Sequence, residues 1–157
     1  MASEFKQLLD FRTYHYFPIP EMMKEKYKAL KNINYIHFSV SFGDWDFAKS
    51  YAKCLSIGGF KDWKLPFDNY DKERYGHEIC YILEDLKKYI KKDFDIDLHD
   101  EIFSSFPDDF HTAFWTNTEE KEELNKAYVI WIGGNADDFC GYLIDSKEND
   151  RIIICVR

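Results

Sequence analysis

The feature that most constrains the fold is a change of hydrophobic period between residues 36 and 55. Ile36, Phe38, Val40 and Phe42 alternate with His37, Ser39 and Ser41, the period-two pattern of a strand with one buried face. Asp44 follows where an N-cap belongs, and Trp45, Ala48, Tyr51, Ala52 and Leu55 then recur at helical spacing. Gly58-Gly59 supplies a C-terminal stop. Strand and helix therefore share one core.

The rest of the chain fits that pattern. Ala2 to Asp10 reads as a short opening helix, ended by Pro18-Ile19-Pro20. A second helix is expected from Pro20 to Lys31, with Met23, Tyr27 and Leu30 on one face. Phe60 to Arg74 reads as an ordered loop. The strongest helix runs from Tyr75 to Lys92: Ile79, Ile82, Leu83, Leu86 and Ile90 form its apolar stripe, and Glu84 lies four residues before Lys88. Lys87, Lys88, Lys91 and Lys92 gather at its C-terminal end, where cations complement the helix dipole. Thr116 and Glu119 have the spacing of a capping box for a short helix over Glu119 to Lys126.

Three β-branched and aromatic runs close the sequence: Tyr128 to Ile132, Cys140 to Ile144 and Arg151 to Val156. Gly133-Gly134-Asn135 and Lys147-Glu148-Asn149-Asp150 read as turns between them. The expected class is α+β in a single domain over 1–157. Its sheet is small and mainly antiparallel, of about four strands with a C-terminal meander, and several helices pack on one face.

The 14 Phe, 11 Tyr and 4 Trp supply ample core material and argue against disorder. No apolar run approaches the ~18–20 residues that span a bilayer. The first residues show no basic segment leading into an apolar one, so no secretory signal and no membrane association are expected. Cys54, Cys80, Cys140 and Cys155 form no C-x-x-C pair, and each falls in an apolar pattern. They read as reduced, buried thiols of a cytoplasmic protein.

Charge is distributed unevenly. The net value is −8, yet residues 1–92 carry 16 Lys/Arg against 13 Asp/Glu, and residues 93–157 carry 5 against 16. Asp93, Asp95, Asp97, Asp100, Glu101, Asp108 and Asp109 occur with no Lys or Arg between them, and Asp137-Asp138 adds a second acidic point. A nucleic-acid backbone is a poor partner for such a surface, whereas a basic protein is drawn to it. Aromatics lie among the acids, at Phe94, Phe103, Phe106, Phe110, Phe114 and Trp115. An acidic rim around aromatic anchors suits protein recognition. The simpler account of Asp93, Asp95 and Asp97 is the solvated side of a strand or turn whose Phe94, Ile96 and Leu98 point inward.

Chemical motifs are absent where they would be diagnostic. An EF-hand loop starting at Asp93 needs Gly at its sixth position and Glu at its twelfth, where the chain has Leu98 and Ser104. His15, His37, His77, His99 and His111 show no zinc spacing, and His77 with Cys80 is one pair of ligands at most. His37, on the polar side of its strand, is expected at the surface or a sheet edge. Gly133-Gly134-Asn135 lacks both phosphate-loop patterns, and no G-x-S-x-G elbow occurs. No metal or cofactor is expected. A small enzyme with a carboxylate site using His99 or His111 is the alternative to a binding protein, as is a non-catalytic interaction module.

In size, aromatic content, lack of a catalytic motif and the acidic stretch Asp93 to Asp109, the chain resembles the immunity proteins that accompany bacterial polymorphic toxins and contact-dependent growth-inhibition systems. The tail, Trp131-Ile132-Gly133-Gly134 through Gly141-Tyr142-Leu143-Ile144-Asp145, is similar to the glycine-bearing strands of one large immunity superfamily. The resemblance implies a non-enzymatic inhibitor of a cognate basic toxin domain, a nuclease, blocked at its active site. Its expected partner-binding residues are Asp93, Asp95, Asp97, Asp100, Glu101, Asp108, Asp109, Trp115, Asp137 and Asp138.

Overall fold

The computed structural model describes residues 16–67, 78–101, 113–132 and 140–157. In these segments a six-stranded mixed sheet forms from β1 (Tyr16–Pro18), β2 (Tyr35–Gly43), β3 (Ala113–Glu119), β4 (Lys126–Ile132), β5 (Cys140–Ser146) and β6 (Arg151–Val156). The spatial order is β1-β2-β6-β3-β4-β5. Four α-helices accompany it: α1 (Glu21–Lys26), α2 (Trp45–Cys54), α3 (Glu78–Phe94) and α4 (Leu98–Glu101). The fold is α+β, with a sheet larger than the four strands expected.

The C-terminal meander does not form. β4 and β5 make an antiparallel hairpin in register from Lys126↔Ser146 to Ile132↔Cys140. β6 then leaves β5 and inserts between β2 and β3, antiparallel to the first and parallel to the second at Phe114↔Ile152. The reason is hydrophobic. Ile152, Ile153, Ile154, Cys155 and Val156 are all buried, and a strand apolar on both faces has to lie inside a sheet.

Helices also cover both faces rather than one. Tyr16 pairs with His37, and Phe17 with Ile36, so these two pairs point to opposite sides. On the His37 side, Tyr51 of α2 stacks on the imidazole and Trp63 meets it edge-on. On the other side, Phe94 of α3 packs on Phe17 with ring centroids 5.2 Å apart. His37 is consequently buried, not at the surface as its alternation suggests.

Asp44 caps α2 as expected, accepting from Phe47 N at 2.8 Å. The helix stops at Cys54, and Gly58 and Gly59 serve a following 3-10 turn, where their φ values of 66° and 79° favour glycine. Gly43 is needed for a different reason: a Cβ there would collide with the Phe47 ring. α1 is shorter than expected, but Met23, Tyr27 and Leu30 are all buried as their spacing predicts. The Tyr27 hydroxyl donates to Asp85 of α3, and Lys26 reaches the same carboxylate at 2.9 Å. Partial burial pushes the Asp85 carboxyl up, but those two bonds outweigh it and hold it below the usual carboxylate range.

Ile82, Leu83, Leu86 and Ile90 of α3 are buried, and Glu84 pairs with Lys87 at 3.6 Å rather than with Lys88. No helix forms over Glu119 to Lys126. Thr116 and Glu119 belong to β3, where the buried Thr116 hydroxyl donates to Tyr128 O at 2.8 Å. Residues 120–125 instead turn the chain into β4, closed by Glu120 N to Lys126 O at 3.0 Å. The expected opening helix Ala2 to Asp10 lies outside the described residues. Among the described residues no helix is long and apolar enough to cross a membrane.

Leu86→Ala or Ile153→Ala removes a fully buried side chain and should cost ~2–5 kcal/mol in urea unfolding. Tyr81→Ala, on an exposed α3 position, should stay within about 0.5 kcal/mol. Equal losses from the three would contradict this packing.

Candidate functional site

The acids expected to bind a partner separate into distinct places. α3 ends at Phe94, and Lys91 pairs with Asp95 at 3.0 Å. Asp95 adopts a left-handed φ of 53°, which turns the chain, and Asp97 accepts from Asp100 N at 3.1 Å at the start of α4. Asp93, Asp95, Asp100 and Glu101 are exposed, and Asp97 is half-buried. Ile96 and Leu98 are buried and Phe94 half-buried, so the alternation is that of a turn between helices, with acids outward. Hydrogen bonding to Asp95 raises the Lys91 ammonium above its ordinary value.

Trp115 has to be removed from the binding set. It is fully buried in β3 and donates its indole N–H to Gly43 O at 2.9 Å, which ties β3 to the end of β2. A side chain closed off in the core cannot insert into a partner. Asp108, Asp109, Asp137 and Asp138 lie outside the described residues.

A second acidic surface, not singled out by the sequence reading, forms where three turns meet. Lys147, after β5, organises it. Its N–H donates to Asn125 O at 2.9 Å, its carbonyl accepts from Trp45 N at 3.0 Å, and its ammonium bonds Glu119 and Leu124 O. The ammonium also sits 4.3 Å from the Trp45 ring centroid. The β3–β4 turn, the β5–β6 turn and the start of α2 are thereby fixed together. They present exposed Asp46, Glu119, Glu122, Glu123, Glu148 and Asp150.

Two apolar groups stand among these carboxylates: Leu124 at 76% exposure and Phe47 at 50%. The Lys147 hydrogen bond holds Glu119 below the usual carboxylate range, and the Tyr128 hydroxyl does the same for Glu120. Both remain charged in mildly acidic solution. In the sequence residues 119–126 read as a short helix, and only the folded chain brings residues 119–125, 147–150 and 44–47 together.

The polar groups with the strongest resemblance to a reactive constellation are His37, Ser39, Tyr51 and Cys155. His37 Nε2 lies 2.9 Å from the Tyr51 hydroxyl, and Cys155 is the β6 partner of His37. His37, Ser39 and Cys155 are buried. Burial pushes the Cys155 thiol up to about 12 and raises the Tyr51 hydroxyl as well, so neither supplies an anion at neutral pH. The arrangement fills the space between β2 and α2. It offers no activated nucleophile. Cys54, expected to be buried, is exposed, and His99 is exposed on α4.

Comparison with known proteins finds no matching family model, curated protein or solved structure. Among the described residues, no three His, Cys, Asp or Glu side chains are grouped to hold a metal ion.

Alkaline pH should loosen the fold in a defined direction. Burial raises Cys155, Tyr51 and Tyr89, so the unfolded chain releases these protons first. Stability should therefore be constant with respect to Cys155 below about pH 9, the ordinary value of an exposed thiol, and decline as pH rises toward its folded value of about 12. A brief iodoacetamide pulse at neutral pH with peptide mapping should label Cys54 and spare Cys155; rapid labelling of Cys155 in the native protein would refute this burial.

Proposed function

We propose that this chain is a cytosolic immunity protein that neutralises a basic toxin domain, a nuclease, by covering its nucleic-acid-binding cleft. The observation that carries this reading is the turn surface around Lys147, where exposed Leu124 and Phe47 stand among six exposed carboxylates. Apolar groups supply the desolvated centre of an interface, and a charged rim excludes water and steers approach. Carboxylates presented on rigid turns can occupy the positions that phosphates take in a cationic cleft.

Asp93, Asp95, Asp97, Asp100 and Glu101 contribute differently. They lie at the α3–α4 corner, beside β1 through the Phe94–Phe17 contact, whereas the turn surface adjoins β3, β4 and β5. One small interface does not need both. The corner adds to the long-range negative field that accelerates encounter with a basic partner, and the turn surface makes the close contact. Asp108, Asp109, Asp137 and Asp138 remain candidates in the same role as the corner.

The decisive experiment pairs the protein with a basic nuclease domain encoded next to it. Co-expression should protect cells, and the purified proteins should form a complex. Phe47→Ala and Leu124→Ala should each weaken it by ~2 kcal/mol or more. Glu122→Lys with Glu123→Lys should mainly slow association, by roughly tenfold at low salt. Failure of the pair to bind, with the inhibitor folded, sinks the proposal. Wild-type affinity in both alanine variants moves the contact elsewhere.

A further inference from the structure

One region reverses the overall charge. An open groove of about 580 Å³ runs between α2 and residues 61–65, and Lys49, Lys53, Lys61 and Lys64 line it against a single carboxylate, Asp46. Ser50 and Asn117 add polar groups, and Trp63 and Leu65 form part of its apolar wall. Among the described residues, Lys53 and Lys61 make no ion pair, while the Lys49 ammonium lies 4.3 Å from the Trp45 ring centroid and within the field of Glu119. The net charge of the whole chain is −8.

Such a grouping opposes folding unless something compensates it. Lys49 and Lys53 are four residues apart on one helix, a spacing at which like charges repel. Lys53 gains from its place in the last turn of α2, and Lys49 from the face of the Trp45 ring. The walls cannot readily spread to relieve the repulsion. Trp45, Ala48 and Ala52 bury α2 in the core. Lys64 is fixed to Val156 by two main-chain bonds of 2.9 and 2.8 Å, and Asn117 N donates to Pro66 O at 2.8 Å. The volume of the groove falls in the range of ~300–1,000 Å³ typical of small-molecule sites.

We propose that this groove binds a compact polyanion: a phosphorylated small molecule of nucleotide size that carries two or more phosphates. Ammonium groups on flexible stems act as point-charge partners of phosphate, and Lys53 and Lys61, with Lys49 and Lys64 beside them, suit a ligand with more than one phosphate. A long nucleic-acid strand fits less well on a chain whose net charge is −8. The inference does not depend on the toxin-binding reading, which concerns the turns around Lys147.

The test uses the full chain in low-salt buffer, titrated calorimetrically with ATP, with inorganic tripolyphosphate and with a single-stranded oligonucleotide. ATP and tripolyphosphate should bind with one site and weaken as salt rises. Comparable affinities for the two assign recognition to the phosphates, and tighter ATP binding adds a contact to the nucleoside; either result supports the site. Lys53→Glu with Lys61→Glu should lower affinity roughly tenfold or more while leaving the unfolding midpoint of the free protein unchanged or higher. Lys87→Glu with Lys88→Glu, on α3, should leave binding intact. Absence of heat with both phosphate compounds overturns the proposal, as does undiminished binding by the Lys53/Lys61 variant. Oligonucleotide binding that tripolyphosphate does not displace also overturns it, in favour of a nucleic-acid surface. Toxin protection is read separately, so either proposal can fail without the other.

Discussion

β6 is the strand on which the rest of the fold depends. It joins β1 and β2, which come from the first part of the chain, to the β3–β4–β5 unit that precedes it in sequence. Five consecutive side chains, Ile152 to Val156, are buried there, each contributing on the order of 1.5–3 kcal/mol for a large apolar group. Its end also fixes the segment that walls the lysine groove. Val156 pairs with Lys64, and the Arg157 guanidinium bonds Asp62 at 2.6 and 3.1 Å and lies 3.8 Å from the Phe60 ring centroid. Pairing β2 with β6 closes a loop of over a hundred residues, an entropic cost that grows only slowly with length but delays the completion of such a sheet.

Local structure was legible in the sequence where one covalent neighbourhood decides it. Asp44 and the Trp45, Ala48, Ala52 spacing define α2, and Leu86 and Ile90 mark the inner side of α3, because capping and helical period act within a turn or two. Partner strands were not legible in this way. Lys147 to Asp150 has the composition of a hairpin turn, and nothing in it distinguishes a return beside β5 from a passage to β2. The unbroken apolar run in β6 held the missing signal, since an edge of a meander would alternate. The same limit explains His37: alternation shows that it faces away from Ile36, not whether a helix waits on that side.

The candidate site was less legible still, because a one-dimensional charge count does not say which acids meet. The C-terminal excess is real, yet the α3–α4 corner adjoins one edge of the sheet and the Lys147 turns lie toward the other. The two clusters therefore belong to different turns of the fold, which the charge count alone does not distinguish. Trp115 shows the converse error: an aromatic among acids in sequence is an anchor only if the fold leaves it outside, and β3 places it against Gly43 instead.

α2 separates surfaces of opposite sign. Its first turn carries Phe47 toward the acidic turns, Lys53 lines the groove, and Asp46 and Lys49 belong to the border of both. A basic protein approaching the turns meets repulsion from those lysines at short range. An anion held between them lowers that positive potential and so favours the approach. Linkage requires the effect to be mutual: whatever the anion adds to the affinity for a cationic partner, the partner adds to the affinity for the anion. Such a coupling would need no movement of the fold, because both surfaces are built on α2 and the interaction passes through space.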